Sequence, residues 1–171
     1  DSRSYLDNSI PNGASWYGLH VLDAAGNLKV EPVPPGPIKV TADKIAPSAA
    51  VTSPANGSWQ KDDFSATLSD SDIGSSGLAP GLAGCQYIIT DLTSGKTTGT
   101  KTRTCGSYTL IVPVGASASD ICSEDRVAPV GEATCNVSTM SFDAAGNSSG
   151  WKSRNFKIDQ TNPAVGIANL T

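Results

Sequence analysis

The sequence predicts an all-β protein of the sandwich kind, and three observations carry that expectation: composition, period-2 apolar alternation and an internal repeat. With 17 Gly and 11 Pro among 171 residues, and Ser, Thr, Ala and Asn abundant, long helices are disfavoured and short strands joined by turns are favoured. A hydrophobic fraction of 38% suffices for one modest core and no more.

The repeat organises the chain. Asp23-Ala24-Ala25-Gly26-Asn27 returns as Asp143-Ala144-Ala145-Gly146-Asn147, 120 residues later. Each copy is followed by a strand-like run ending in Asp and then by Pro: Val40-Thr41-Ala42-Asp43 with Pro47, and Phe156-Lys157-Ile158-Asp159 with Pro163, 116 residues later. The four-residue difference in offset lies between the two echoes, where the first copy carries the extra Pro-rich stretch Pro32-Val33-Pro34-Pro35-Gly36-Pro37. The expected organisation is one complete repeat over 43–158. Residues 1–42 would be the last strands of a preceding repeat, and 159–171 the first strand of a following repeat or a donor strand.

Within the complete repeat the strands follow from alternation. Phe64, Ala66 and Leu68 share a face, as do Cys85, Tyr87 and Ile89, and likewise Tyr108, Leu110, Val112 and Val114. Ala49–Thr52 opens the set and Arg154–Ile158 closes it. The run from Cys135 to Phe142 alternates less cleanly, but its copy carries Tyr17, Leu19 and Val21 on one face. Turn residues separate the runs at Pro54–Gly57, Thr93–Gly95 and Gly115–Ser117. Six or seven short strands in about 116 residues is the β-sandwich pattern.

These features resemble the bacterial immunoglobulin-like (Big-type) tandem repeats of large cell-surface adhesins. The carriers are an alternating strand running into Asp-x-Ala-Gly-Asn, a strand ending in Asp and then Pro at each junction, and the Ser-Gly-rich loop Ser69–Gly77. The resemblance covers nearly the whole chain and implies an immunoglobulin-like β-sandwich in an extracellular stalk, filament or adhesin. The four cysteines and the long Ala116–Thr134 insertion depart from the plainest members. Because related repeats bind calcium through aspartates around such turns and linkers, the resemblance also nominates two oxygen sets: Asp143, Asn147 and Asp159 at one end, and Asp23, Asn27 and Asp43 at the other. Without any ion the Asp-Ala-Ala-Gly-Asn motif is still explained as a turn, since Gly reaches positive φ freely and Asn tolerates it.

Other classes are disfavoured. A net charge of −4, with acids and bases scattered singly, does not make the basic face a nucleic-acid binder needs. No run approaches the ~20 apolar residues of a membrane span, and the abrupt start reads as a mature or excised fragment. His20 is the only histidine and is expected at a strand surface; with no partner base and no nucleophile motif, no catalytic residue is nominated and no enzyme is expected.

Cys85, Cys105, Cys122 and Cys135 lack zinc-like spacing and read as two disulfides formed in an oxidising compartment. Of three pairings, Cys85–Cys105 and Cys122–Cys135 are favoured, because each pair falls at one end of a strand meander. Asp70-Ser71-Asp72-Ile73-Gly74 mimics the start of an EF-hand loop, but its twelfth position is Gly81, so these acids are expected in solvent, with a separate cation site as the second reading. Trp59 and Trp151 define the rival reading, a carbohydrate-binding accessory module or adhesive domain taking a surface glycan or receptor; the blander account packs Trp16, Trp59 and Trp151 into a core or junction. Acceptor patterns at Asn56, Asn136, Asn147 and Asn169 agree with an extracellular location and add nothing more.

Residues 1–42 hold too few strands to bury a sandwich core. The missing strands come either from a longer array or from strand complementation, in which Ala164–Leu170 of one copy fills the partial repeat of the next.

Overall fold

A computed structural model describes residues 6–18, 20–30, 37–82, 84–124 and 135–163. Those residues are all-β: no helix occurs among them, and none is long and apolar enough to cross a membrane. Four short strands come first: β1 (Gly13–Tyr17), β2 (His20–Leu22), β3 (Leu28–Val30) and β4 (Ile38–Ala42). They pair as two ribbons, β1 with β4 and β2 with β3.

An immunoglobulin-like sandwich follows, built from β5 (Ser48–Ser53), β6 (Trp59–Gln60), β7 (Phe64–Ser71), β8 (Cys85–Asp91), β9 (Lys101–Arg103), β10 (Tyr108–Val112), β11 (Cys135–Ser141) and β12 (Lys152–Ile158). One sheet has the order β10-β7-β5 and the other β6-β12-β11-β8-β9. Neighbours are antiparallel except β6, which runs parallel to β12. The two-residue β6 and three-residue β9 were not legible as alternation, because so short a run has no period.

The alternating residues become the core. Phe64, Ala66 and Leu68 of β7, with Val51, Leu110 and Val112 beside them, face Ile89, Val137, Phe156 and Ile158 of the second sheet. The Phe64 and Phe156 rings meet between the sheets, centroids 4.9 Å apart. Burying each such ring stabilises the fold by roughly 1.5–3 kcal/mol.

The weak alternation of β11 has a physical reason. Its inward positions Thr139 and Ser141 are fully buried but polar, because Thr139 hydrogen-bonds the Gln86 carbonyl and Ser141 the Ser48 carbonyl. Thr139 also accepts from Arg103, which closes a buried ion pair on Asp70. The expectation of a solvated Asp70 is therefore corrected: it occupies an inward position of β7 and is tolerated there because Arg103 neutralises it.

The structure pairs Cys85 with Cys105 and Cys122 with Cys135, Cα atoms 5.1 and 5.5 Å apart. Each bridge ties a strand end to a neighbouring loop. The part of the Ala116–Thr134 insertion beyond Glu124 lies outside the described residues, as do Leu19 and the donor strand Ala164–Leu170.

Candidate cation site at the head of the sandwich

The linker between β4 and β5 enters the sandwich at Asp43, and two loops meet it there. The first is the Asp143–Asn147 turn after β11. The Asp143 carboxylate accepts from the Asn147 backbone N–H (2.7 Å) and side-chain amide (2.7 Å), while Gly146 takes φ 92°, a conformation that favours glycine. Asn147 also donates its amide to the Asp43 carbonyl at 3.0 Å.

The second is the loop after β7. Ser76 donates both its N–H (2.7 Å) and its hydroxyl (2.6 Å) to Asp43 Oδ2, and Ile45 N–H donates to Oδ1 (2.9 Å). These donors, the Ser76 hydroxyl foremost, hold the Asp43 carboxyl below its ordinary value and so keep it charged. Gly74 lies flat against the same carboxylate, and a Cβ there would overlap it. Asp72 turns inward as well, accepting Gly74 N–H on Oδ1 while its buried Oδ2 has no donor.

Carboxylate oxygens of Asp43, Asp72 and Asp143 therefore lie within 4.8 Å of one another, with Asp143 only 2% exposed. Among the described residues no Lys, Arg or His closes an ion pair on any of the three. Three carboxylates gathered in this way, one of them with a buried oxygen that no donor reaches, are the kind of oxygen set that a hard cation taking several ligands binds. A shallow cleft lined by Thr41, Asp43, Ser75, Ser76, Ala144 and Ala145 leads to it from solvent.

The six nominated oxygens are regrouped. Asp43 was expected with Asp23 and Asn27 but sits with Asp143 and Asn147. Asp159 was expected beside Asp143 but lies at the opposite end of the sandwich, because β12 runs antiparallel to β11 and ends next to Cys135 rather than Ser141. Asp23 and Asn27 form an exposed turn with the same internal hydrogen bonds, Asn27 N–H and amide to the Asp23 carboxylate at 2.8 and 2.7 Å. Asp72, expected in solvent with a separate cation site as the second reading, joins Asp43 and Asp143 instead; its signal in the sequence was the EF-hand-like run Asp70–Gly74.

No family model matches the chain, and no curated protein does. Among solved structures it is similar to the Clostridium thermocellum CbhA fibronectin(III)-like modules, with 13% identity and a TM-score of 0.39 over 93% of this chain and 70% of that one. The sandwich assignment rests on the strand order.

The tryptophans form no shared platform. Trp59 pairs with Lys157 near the end of β12, its ring 5.2 Å from the ammonium, whereas Trp151 precedes the start of β12. Seven residues of strand put about 20 Å between them. Core packing is also corrected: Trp16, Trp59 and Trp151 are 66%, 52% and 42% exposed. His20 is exposed on β2.

Proposed function

We propose that the chain is a non-enzymatic structural module of an extracellular surface protein, a stalk or filament spacer. Its successive sandwiches are stiffened end to end by calcium, or a similarly hard divalent cation, at the head of each. The observation that carries this reading is the convergence of Asp43, Asp72 and Asp143 on the segment that joins β4 to β5.

On this reading residues 1–42, 43–158 and 159–171 are parts of three successive repeats, and the nominated oxygens belong to three successive junctions. Asp23 and Asn27 serve the first, Asp43, Asp143 and Asn147 the second, and Asp159 the third. A cation at Asp43 couples the linker to both loops of the sandwich, which restricts bending where a repeat protein otherwise flexes. The two disulfides suit an oxidising, extracellular setting.

Thermal melting with calcium and with chelator tests the reading. A ligand bound only by the folded state raises Tm with the logarithm of its free concentration once that exceeds Kd, so calcium should raise Tm and chelator reverse it. Asp72→Asn should abolish the calcium response while raising the melting point of the metal-free protein. A Tm indifferent to calcium up to millimolar concentrations removes the cation from the proposal.

A further inference from the structure

The solvent-facing side of the five-stranded sheet is nearly free of charge. In β8 and β11 the residues that alternate with the core are Gln86, Ile88, Thr90, Asn136, Ser138 and Met140, none of them ionisable and all half-buried. Depletion of charge marks the centre of a contact surface, whereas ordinary solvated surface is about a quarter to a third charged. The outer face of the other sheet is uncharged too, but it bears only Ser, Thr, Ala50 and Ile111, with neither an amide nor an aromatic ring.

One row of hydrogen-bonding side chains crosses the five-stranded face. Asn155 of β12 stands beside Asn136 of β11, Asn136 beside Thr90 of β8, and Thr90 beside Thr97 in the segment leading to β9. Adjacent strands lie about 4.8 Å apart, so the row is about 14 Å long. The Asn136 amide donates to Asn155 Oδ1 at 2.6 Å and its oxygen accepts the Ser138 hydroxyl at 2.7 Å, while the Thr90 hydroxyl donates to that of Thr97 at 3.4 Å. These bonds fix both amides in place. They leave the Asn155 side-chain nitrogen, among the described residues, with no partner.

Trp59 of β6 extends the row beyond β12. It pairs with Lys157, two residues from Asn155 on the same face, and remains 52% exposed with the Lys157 ammonium 5.2 Å from its ring centre. The turn before Trp59 is tied to the same strand, since Asn56 Oδ1 accepts the Asn155 N–H at 2.8 Å and Gly57 N–H donates to the Asn155 carbonyl at 2.7 Å. The ring is thus held on the sheet rather than on a free loop.

This order of groups defines the chemistry of a partner. A protein partner is held by aromatic anchors at the centre of the contact with polar groups around them; here amides and hydroxyls form the centre and the one ring stands at the end. A nucleic acid requires positive charge along the row, and of the residues on it only the neighbouring Lys157 is basic. A neutral sugar chain matches every part. Its hydroxyls exchange hydrogen bonds with amides that both donate and accept, the apolar face of a pyranose covers an indole, and an extended chain follows a straight row. We propose that the row is a binding site for an extended, uncharged, β-1,4-linked polysaccharide: Trp59 stacks on one sugar, Asn155 and Asn136 bond the hydroxyls of the next, and Thr90 and Thr97 bond those beyond. The site lies on the side of the sandwich and uses none of the carboxylates at its head.

Calorimetric titration of the full chain with cellohexaose and with chitohexaose, in the presence of chelator, tests the proposal. At least one of the two should bind, and Trp59→Ala and Asn136→Ala should each weaken binding about tenfold or more. Trp16→Ala, which removes the comparable Trp–Lys pair of the β1–β4 ribbon, should leave binding unchanged. Thermal melting shows whether each variant folds; Ser138→Glu, which sets a charge in the middle of the face, should abolish binding and serves if Asn136→Ala unfolds. The proposal is overturned by failure of both sugars to bind, by binding unchanged in folded Trp59→Ala or Asn136→Ala, or by hexagalacturonate binding more tightly than the neutral chains. A concentration-dependent dimer abolished by Ser138→Glu also overturns it, giving the face to a second copy. Sugar binding is read here without calcium and Tm is read with it, so the two proposals fail separately.

Discussion

The side-chain amide of Asn147 donates to the main-chain carbonyl of Asp43 at 3.0 Å, across 104 residues of sequence. That bond closes the head of the sandwich: the same Asn147 donates to the Asp143 carboxylate, and the same Asp43 receives the loop after β7 through Ser76. A linker residue and a turn residue thereby specify each other's position.

Asn147→Ala should lower stability by about 1–3 kcal/mol, the range for losing a partner that leaves buried acceptors unsatisfied. Urea denaturation reads this as a lower midpoint at unchanged slope. Proteolysis within the 43–47 linker should speed up in parallel. An unchanged midpoint would mean the amide bond is replaced by water without loss.

Arg103 joins the two sheets through Asp70, with Nη1 at 2.6 Å and Nη2 at 2.8 Å, beside the Cys85–Cys105 bridge. Gly106 N–H adds to the same carboxylate. Arg103→Met alone should cost about 3–5 kcal/mol, because it strands a buried carboxylate, whereas Arg103→Met with Asp70→Leu should recover most of the loss. Chemical denaturation of the two variants checks it; equal losses would show that packing, not charge, matters here.

Acid should destabilise the fold through Asp91 as well as Asp43. Burial pushes the Asp91 carboxyl up, but N–H and hydroxyl donors from Ser94, Ser123 and Thr93 outweigh it, so it titrates below its ordinary value of 3.8. A carboxyl depressed in the folded state binds fewer protons there than in the unfolded chain. Its stabilisation is complete above the unfolded pKa, near 4, and is lost as pH falls through the lower folded pKa. Urea midpoints should be level from pH 6 to about 5 and fall below 4. Asp91→Asn should flatten part of that fall.

Local pattern was enough to specify a good deal. The period-2 runs around Phe64, Ile89 and Leu110 marked inward faces, because a strand turns every second side chain the same way regardless of its neighbours. The Asp-x-Ala-Gly-Asn turn was equally legible, being built from hydrogen bonds within five residues. Disulfide partners followed from strand ends that a meander places together.

The convergence of Asp43, Asp72 and Asp143, the burial of Asp70 and the exposure of the tryptophans belong to the tertiary structure alone. Each depends on which strand ends share an end of the sandwich and which counter-charge lies across the core. Asp159 and Asp43 look alike in sequence, but antiparallel pairing carries one to the foot of the sandwich and the other to its head. Local residue pattern specifies a strand's face and a turn's hydrogen bonds; only the packed sheets decide which distant oxygens meet.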